Sequence, residues 1–340
     1  MIFSVIIPYS QDYPQVWFTV QDKYLRLTDN YTHDEYEVIL VNNGSTGDHL
    51  KLARRMIGRD EDDPNVFTDH LSRTPSIHRR NLKYIEIPHQ LHPKPAINLG
   101  AWKAEGKYHV HCDSHTLLNN NFFPLAEEFM DNNESCTVLH SGVSWNVRDA
   151  RVRAYQYKLG ITEEGRGTGN ILGTWSTQKI SDTPYRIAAS GTCALVTRGE
   201  TYKNRYRGYP SALRGYGGGE PYLDILAWMM GDEVYVHPDM FTSHFACTRS
   251  RGYHQGGPFV LARNNMLSWY ILGGDKWAEV LLKDTLDRNA QRHPDWAPKF
   301  YEMYYEALKL GRFRRRWVEE HAVYTVDDIL KMFKTQEIYH

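Results

Sequence analysis

The chain has 340 residues, of which 41% are hydrophobic and 24% charged, a composition typical of a soluble globular protein with a sizeable core. Its 40 basic and 41 acidic residues give a net charge of −1, so total charge neither favours nor excludes an anionic partner. No segment approaches about 20 consecutive apolar residues, the amino terminus lacks signal-peptide features, and the four cysteines form no CxxC pair. We therefore expect a cytoplasmic protein without a membrane span.

The first part of the chain alternates apolar strands with a helix. Residues 2–8 and 37–41 are β-rich runs, with a predicted helix up to Tyr31 between them. This pattern is typical of a parallel sheet covered on both faces, in which ligands lie at the carboxyl ends of strands. Asn42 and Asn43 follow the second strand at such an end. They are ordinary turn residues before a glycine, but an Asn amide can also recognise a pyrimidine base.

The later elements follow from the same patterns. An exposed, charged excursion is predicted over residues 57–80, and the polar, glycine-rich residues 144–185 suit acceptor recognition, because long aperiodic segments in compact domains are usually functional. Further strands are predicted at residues 83–87, 107–112, 137–140, 187–197 and 233–237. Further helices are predicted at residues 96–104, 122–130, 221–230, 277–286, 296–310 and 326–333.

The chain is organised around the strand at residues 107–112, which ends in Asp113-Ser114-His115. Side chains two positions apart in an extended chain lie on the same side, so Asp113 and His115 can reach one ion. A carboxylate and an imidazole suit a divalent metal such as Mn²⁺, with Mg²⁺ as the alternative. On its own, Asp113 is more often a turn cap and His115 a loop histidine, but the rest of the chain favours the metal site.

A glycine-rich turn forms a second candidate site. Gly218 and Gly219 precede Glu220 and Pro221 at the predicted start of a helix. Glycines allow a backbone to approach a ligand closely. A carboxylate is also favourable at a helix start without any ligand, so Glu220 is either a site residue or a helix-start carboxylate.

Together these motifs resemble a known family. The order of an IIP strand, the V-N-N-G-S-T-G-D turn, A-I-N-L-G-A and D-S-H is similar to the GT-A nucleotide-sugar glycosyltransferases of the family-2 type. The D-S-H, G-G-E and Ser243-His244-Phe245 segments look most like the polypeptide N-acetylgalactosaminyltransferases, with their D-x-H motif. The resemblance covers about residues 2–270. It implies an α/β GT-A fold, which is Rossmann-like with a mostly parallel central sheet and helices on both faces.

The resemblance also implies roles for individual residues. Metal ligands would be Asp113, His115 and His244, with Mn²⁺ or Mg²⁺ on the donor diphosphate. Donor-binding residues would be Pro8, Tyr9, Asn42, Asn43, Asp113, Ser114, Gly218, Gly219, Arg249 and Tyr253. Glu220, with Asp224 as the weaker candidate, would hold sugar hydroxyls or, in an inverting enzyme, take the acceptor proton. His244 could instead be a buried structural histidine, and Arg249 and Tyr253 solvated loop groups.

The predicted organisation has two parts. Residues 1–273 form the catalytic domain, with a nucleotide-sugar half at about 1–118 and an acceptor region at about 140–270, and residues 274–340 form a helical extension. The family usually has aspartates where this chain has Asn42 and Asn43, so the base of the donor stays open. We expect neither the membrane anchor nor the lectin domain of the eukaryotic transferases.

We expect a metal-dependent glycosyltransferase that moves a sugar from a nucleoside-diphosphate sugar to a hydroxyl acceptor. The acceptor is a small molecule, an envelope precursor, a protein or hydroxymethylated DNA. Arginines that could contact DNA phosphates, unless they are merely solvated, are Arg79, Arg80, Arg151, Arg153, Arg166 and Arg312–Arg316. Aromatic residues that could support an extruded base, pack the core or stack on a sugar are Trp145, Tyr155 and Trp175.

Two other classes remain open. A nucleotidyltransferase is disfavoured because no glycine-rich signature with a lysine follows the first strand. A non-catalytic carbohydrate- or nucleotide-binding protein is disfavoured because the metal-type residues and Glu220 are all present.

Overall fold

The computed structural model describes residues 1–58, 81–144, 153–158, 174–245, 257–290 and 293–333. Its strands are β1 (Phe3–Tyr9), β2 (Tyr36–Asn43), β3 (Leu82–Ile87), β4 (Tyr108–Cys112), β5 (Thr116–Leu118), β6 (Cys136–Ser144), β7 (Gln156–Lys158), β8 (Thr174–Ser176), β9 (Tyr185–Arg186), β10 (Ala194–Arg198) and β11 (Glu233–His244). Its α-helices are α1 (Gln15–Thr28), α2 (Gly47–Met56), α3 (Pro93–Lys103), α4 (Phe122–Asn132), α5 (Tyr222–Met229), α6 (Gly257–Gly273), α7 (Asp275–Ala290), α8 (Ala297–His321) and α9 (Val326–Met332).

One mixed, mostly parallel sheet dominates the described part of the chain. Its strand order is β3-β2-β1-β4-β10-β6-β11-β5, and β9 pairs with β11 off this path. β1 to β4 run parallel, as do β6 and β11, whereas β10 and β5 run antiparallel to their neighbours. This sheet, flanked by helices, confirms the predicted fold class. β7 and β8 form a separate antiparallel pair.

Alternation along the strands produces two hydrophobic cores. Val5 and Ile7 of β1 belong to the core that includes residues of α1 and α4, whereas Ile6 belongs to the other. That second core extends through α5 to Trp277 and Phe300 in the carboxyl-terminal helices. The helices of the predicted extension are therefore packed in one core with the sheet, and the predicted division at residues 273 and 274 falls between α6 and α7.

Several predicted elements differ in length from the observed ones, among them the strand at 187–197, β11 and α8. Of the predicted strand at 187–197, only β10 is a strand with neighbours on both sides, although Ile187 to Cys193 are also buried. β11 is longer than predicted because an irregularity between His237 and Phe241 lets it continue beside β6. α8 continues through Gly311, where a Cβ would lie 2.7 Å from the ring of Tyr270, so close packing on α6 favours the glycine inside the helix.

Within the described residues, we find no helix with both the length and the apolar character needed to cross a bilayer.

Candidate functional site

The carboxyl ends of the parallel strands meet at one edge of the sheet, and ligand-type side chains converge there. Asp113 directly follows β4, and His244 ends β11. Cys193 precedes β10, which begins at this edge because it runs antiparallel to β4. The ligand-type atoms of these three side chains all lie within 4.8 Å of one another. A carboxylate, an imidazole and a thiol so close together can hold a divalent metal ion.

Asp113 and His244 form the most direct contact of this group. Nε2 of His244 lies 3.2 Å from Oδ2 of Asp113. Burial would raise the pKa of Asp113, but the hydrogen bond and charge of His244, with the charges of Lys94 and His115, lower that pKa to about 2. The Asp113 side chain is 29% exposed. Its carboxylate is therefore ionised at neutral pH and accessible to a ligand.

His115 lies beside the trio of Asp113, Cys193 and His244. Its ring centroid is 4.6 Å from that of His244. Nδ1 of His115 is 3.3 Å from Oγ of Ser114 and 3.6 Å from Oδ2 of Asp12. Ser114 also donates a hydrogen bond to the Asp12 carboxylate. Sequence reasoning missed Asp12, whose signal was its place in the loop after β1, at the same edge of the sheet.

Helix α1 holds the Asp113–His115 turn in place. Oγ1 of Thr19 donates to the carbonyl of Ser114 (2.9 Å) and accepts from the backbone N–H of Thr116 (3.0 Å). The buried Nζ of Lys23 donates to the carbonyl of Thr116 (2.8 Å) and forms an ion pair with Asp22 (3.0 Å). Backbone groups that leave the sheet need such partners when they are buried. The turn is therefore fixed before any ligand binds.

Lys94 is a buried cation that sequence reasoning also missed. It lies in the first turn of α3 and is 6% exposed. Its Nζ donates to Oγ1 of Thr192 and lies 4.0 Å from Oε1 of Glu220. A Cβ on Gly219 would lie 2.5 Å from Cγ of Lys94, so this glycine makes room for the lysine stem. The lysine thus lies close to Glu220, and its charge also acts on Asp113.

His92 joins α3 to the glycine-rich turn. Its Nδ1 accepts from the backbone N–H of Lys94 (3.0 Å), so Nε2 donates to the carbonyl of Gly217 (2.8 Å). Burial lowers the pKa of His92 to about 3, which keeps the ring neutral. At Gly218, with a φ of +75°, a Cβ would lie 2.4 Å from the backbone oxygen of Asn264. Gly218 and Gly219 thus satisfy the protein's own packing, and their approach to a donor stays a prediction.

Glu220 is held by three donors. Oε2 accepts from the hydroxyl of Tyr157 (2.7 Å), while Oε1 accepts from Oγ1 (2.6 Å) and the backbone N–H (3.3 Å) of Thr192. The ring of Tyr157 in turn packs against Trp175, with centroids 4.4 Å apart. The Glu220 side chain is 34% exposed. It is therefore an oriented and partly exposed carboxylate, and its role in the chemistry stays a prediction.

Asp224 occupies a different environment from Glu220. It is 1% exposed, Oδ1 lies 2.9 Å from Nε2 of His140, and Oδ2 accepts from the backbone N–H of Ser190 (2.8 Å). Both oxygens are engaged by the protein. The observed contacts fit a residue that positions the segment before Cys193, and direct participation in the chemistry stays a prediction.

Asn42 and Asn43 hold the turn after β2. Asn43 makes two hydrogen bonds of 2.8 Å with the backbone of Leu91. Asn42 donates to the hydroxyl of Tyr84 (3.0 Å) and accepts from the backbone N–H of Ser45 (3.0 Å). Both side chains are fully buried. The arrangement matches the turn interpretation, and a contact with a nucleotide base stays a prediction.

Pro8 and Tyr9 end β1 at the same edge, and both are buried. The hydroxyl of Tyr9 lies 3.3 Å from that of Tyr84, which also contacts Asn42. These residues thus border the predicted nucleotide side of the site. Arg249 and Tyr253 lie outside the described residues, as do Trp145, Arg79, Arg80, Arg151 and Arg166.

The arginine run of α8 is partly turned inward. Arg314 donates to the carbonyls of Tyr206 and Gly208, and Arg315 donates to the carbonyl of Leu272 (2.6 Å). Both therefore bind neighbouring backbone. Arg312 and Arg316 remain on the outer surface, where Nε of Arg316 pairs with Glu320 at 3.1 Å. Arg153 stacks on Phe241, 4.4 Å from the ring centroid, and Tyr155 packs in the core.

Sequence comparison finds a matching family and a curated relative. Residues 4–198, more than half of the chain, match the profile of glycosyl transferase family 2. A curated relative from Rickettsia bellii (strain RML369-C), described as an uncharacterized glycosyltransferase, is 32% identical over 130 residues. That match covers 38% of this chain and 15% of the relative, so the chain spans only a small part of that protein.

Two solved structures share the fold at low sequence identity. GalNAc-T7, solved with UDP, GalNAc and Mn²⁺, aligns with a TM-score of 0.61 at 14% identity, over 91% of this chain and 56% of that one. S. aureus TarS 1-349, solved with UDP-GlcNAc, aligns with a TM-score of 0.53 at 13% identity, over 100% of this chain and 93% of that one.

Proposed function

The chain belongs to glycosyl transferase family 2 and has a GT-A fold, and we propose that it transfers a sugar from a nucleoside-diphosphate sugar to a hydroxyl acceptor with the help of a divalent metal ion. The observation that carries this proposal is the Asp113–His244 pair at the carboxyl edge of the sheet, 3.2 Å apart. Lys94 lies 4.0 Å from Glu220, and its charge also acts on Asp113. Ligands of α/β sheets bind at this edge.

The donor atoms of this chain fit a divalent cation. Asp113 supplies an ionised oxygen, and His244 and His115 supply imidazole nitrogens, a set that suits Mn²⁺. When bound, such an ion supplies Lewis-acid stabilisation of the diphosphate leaving group. Asp113 and His244 would hold it, with His115 beside them. Mg²⁺ is the alternative ion, and Mn²⁺ in GalNAc-T7 supports testing Mn²⁺ first.

Lys94 and Glu220 have different proposed roles, one toward the diphosphate and the other toward the sugar or the acceptor. Lys94 places a fixed positive charge near both carboxylates, where it favours the anionic diphosphate. Glu220 binds a hydroxyl of the transferred sugar, because its two oxygens are already oriented by Tyr157 and Thr192. In an inverting reaction the same carboxylate would instead take the acceptor proton. The anomeric configuration of the product separates these two roles.

The donor itself is proposed at the level of its class. Pro8, Tyr9, Asn42 and Asn43 would border the base, and Ser114, Gly218 and Gly219 the sugar diphosphate. Both similar structures were solved with uridine nucleotides, so UDP-GlcNAc and UDP-GalNAc are the first donors to test. A hexose and an N-acetylhexosamine are both proposed as the transferred sugar. Arg249 and Tyr253, which lie outside the described residues, stay proposed as donor contacts.

The acceptor is a hydroxyl compound of open identity: a small molecule, an envelope precursor, a protein or modified DNA. Phosphate contacts are less available than the sequence suggested, since Arg314 and Arg315 are engaged with backbone carbonyls. Loss of duplex DNA binding with rising salt would support the DNA acceptor, and no binding at low salt would exclude it.

Thermal unfolding with a panel of sugar nucleotides, each with Mn²⁺ and with EDTA, tests the proposal. A ligand that binds only the native state raises its apparent stability, so a metal-dependent rise in Tm identifies the donor. Incubation with that donor should then release free nucleoside diphosphate. Release of pyrophosphate from a nucleoside triphosphate and a sugar 1-phosphate would instead identify a nucleotidyltransferase, and binding of a sugar nucleotide without any release would identify a carbohydrate- or nucleotide-binding protein. No shift with any donor would contradict the proposal.

A further inference from the structure

Cys193 is the third member of the ligand trio, in a place where the sequence suggested His115. Its backbone carbonyl accepts from the N–H of Asp113 (2.9 Å), which ties the start of β10 to the end of β4. Its thiol lies within 4.8 Å of ligand atoms of both Asp113 and His244, and the residue is 6% exposed. A sulfur donor therefore faces the same point as the carboxylate and the imidazole.

The spacing suits a small tetrahedral ion. With zinc–sulfur and zinc–nitrogen bonds of about 2.3 and 2.0 Å, tetrahedral ligand atoms lie about 3.5 Å apart. Oδ2 of Asp113 and Nε2 of His244 are already 3.2 Å apart. Sγ of Cys193 lies within 4.8 Å of the ligand atoms of both residues. A side-chain movement on the order of 1 Å would bring it to the tetrahedral spacing.

The other described cysteines differ from Cys193. The side chains of Cys112 and Cys136 pack in the core that contains residues of α1 and α4. Sγ of Cys136 contacts the carbonyl of Val138 at 3.6 Å. Among the described cysteines, Cys193 is the one grouped with a carboxylate and an imidazole.

We propose that Cys193 determines which metal the site accepts, by adding a thiolate to Asp113 and His244 when a thiophilic ion such as Zn²⁺ or Co²⁺ binds. Coordination replaces the S–H bond by a sulfur–metal bond, and the proton passes to solvent. Mn²⁺ prefers oxygen and nitrogen donors and leaves the thiol protonated. Zn²⁺ therefore binds more tightly than Mn²⁺ and opposes Mn²⁺-supported transfer. The inference rests on the proposed metal site, but not on the identity of donor or acceptor.

Cobalt binding to the metal-free full chain tests the inference without activity. Co²⁺ bound by a thiolate has an intense near-ultraviolet sulfur-to-metal absorption. We expect this band in the wild type and in the matched control Cys136→Ser, and no band in Cys193→Ser or Cys193→Ala, both of which still bind Co²⁺. In competition between metals, the preference for Zn²⁺ over Mn²⁺ should fall about a hundredfold in the Cys193 variants.

Cadmium binding to the wild type gives a second readout that needs no variant, because cadmium thiolates also absorb in the ultraviolet. Wild-type protein that binds Co²⁺ and Cd²⁺ without sulfur bands would overturn the role of Cys193 and leave the proposed transferase intact. Bands that persist in both Cys193 variants would overturn it too. Failure to bind any of Mn²⁺, Co²⁺ and Cd²⁺ would overturn this inference together with the metal-dependent form of the proposed function.

Discussion

Alternate residues of strand β4 and the turn after it lie on one face but in two different environments, the buried interior of the sheet and its carboxyl edge. His109 and His111 lie in its middle and are completely buried, and neither ring has a hydrogen-bond partner among the described residues. His111 packs against Tyr202, with ring centroids 4.6 Å apart. Asp113, on the same face two residues further, leaves the sheet and meets His244.

The difference between these two regions is electrostatic. Burial lowers the pKa of His109 to about 3, so inside the sheet the ring is a neutral, apolar-packed group. At the end of the strand, Asp113 is 29% exposed, and positive partners outweigh the effect of partial burial, lower its pKa to about 2 and keep it charged. The candidate ligand therefore lies where the strand ends and positive partners keep Asp113 ionised, and not among the buried histidines of the strand. The following predictions test this contrast.

The largest effect is expected for Asp113→Asn. Removing the ionised oxygen should weaken the metal site and lower turnover about a thousandfold or more, because it removes a charge that acts directly on the bound ion. Mn²⁺ binding and product release should both be measured. The matched control is Asp131→Asn, at the other end of β4, where Asp131 contacts Lys107 and Tyr108. If Mn²⁺ binding and product release fell equally in both variants, the proposed metal-binding role of Asp113 would be contradicted.

The next largest effects are expected for Glu220 in the glycine-rich turn and Asp224 in α5. Glu220→Gln should lower kcat about a hundredfold or more, while donor affinity changes little, because a positioned acid, base or sugar ligand acts mainly on the rate. Asp224→Asn should instead lower stability by about 1–3 kcal/mol, since one buried hydrogen bond loses its partner. Steady-state kinetics and chemical unfolding separate the two. Unchanged kinetics in Glu220→Gln would remove Glu220 from the site.

A smaller effect is expected for Lys94→Met. The methionine keeps most of the stem packed against Gly219 but removes the charge, so affinity for a nucleoside diphosphate should fall about thirtyfold. Isothermal titration with UDP and Mn²⁺ measures the change. Lys103→Met, at the exposed end of the same helix, is the control and should bind like the wild type. Equal affinity in all three proteins would show that Lys94 has only a structural role.

The smallest expected effect is the pH dependence of the unfolding free energy that buried His109 causes. The folded pKa of His109, about 3, is below the unfolded value of about 6.5, so the unfolded state binds more protons and stability falls as pH drops below about 6.5. His109→Leu removes this loss. Its unfolding free energy relative to the wild type should be about 1.3 kcal/mol higher at pH 5.5 than at pH 7.

Urea unfolding at both pH values measures that difference. The exposed His89 provides the control variant, His89→Leu, which should follow the wild type. A parallel pH response in His109→Leu and the wild type would mean that His109 is accessible to protons in the native state.

Local pattern was sufficient for much of the fold. The strands at residues 2–8, 37–41, 83–87 and 107–112 match β1 to β4 within one or two residues. β1, β2 and β4 are buried on both faces of the sheet, whereas β3 lies at its edge and is mostly only partly buried. The end of β4 was also found in this way, since parallel strands bring their carboxyl ends together. Element lengths depend on distant partners, which explains why α8 passes Gly311 and β11 passes His237.

The sequence by itself determined the sheet, the Asp113–His115 segment and the placement of Glu220 before a helix, because each depends on spacing along a short stretch of chain. Only the tertiary structure decided which side chains share the site. Cys193 and Lys94 carry no local signature, and they join Asp113 and Glu220 through contacts between residues about 80–130 positions apart. The same packing assigned the amides of Asn42 and Asn43 to the turn, since a buried polar group takes the nearest available partner.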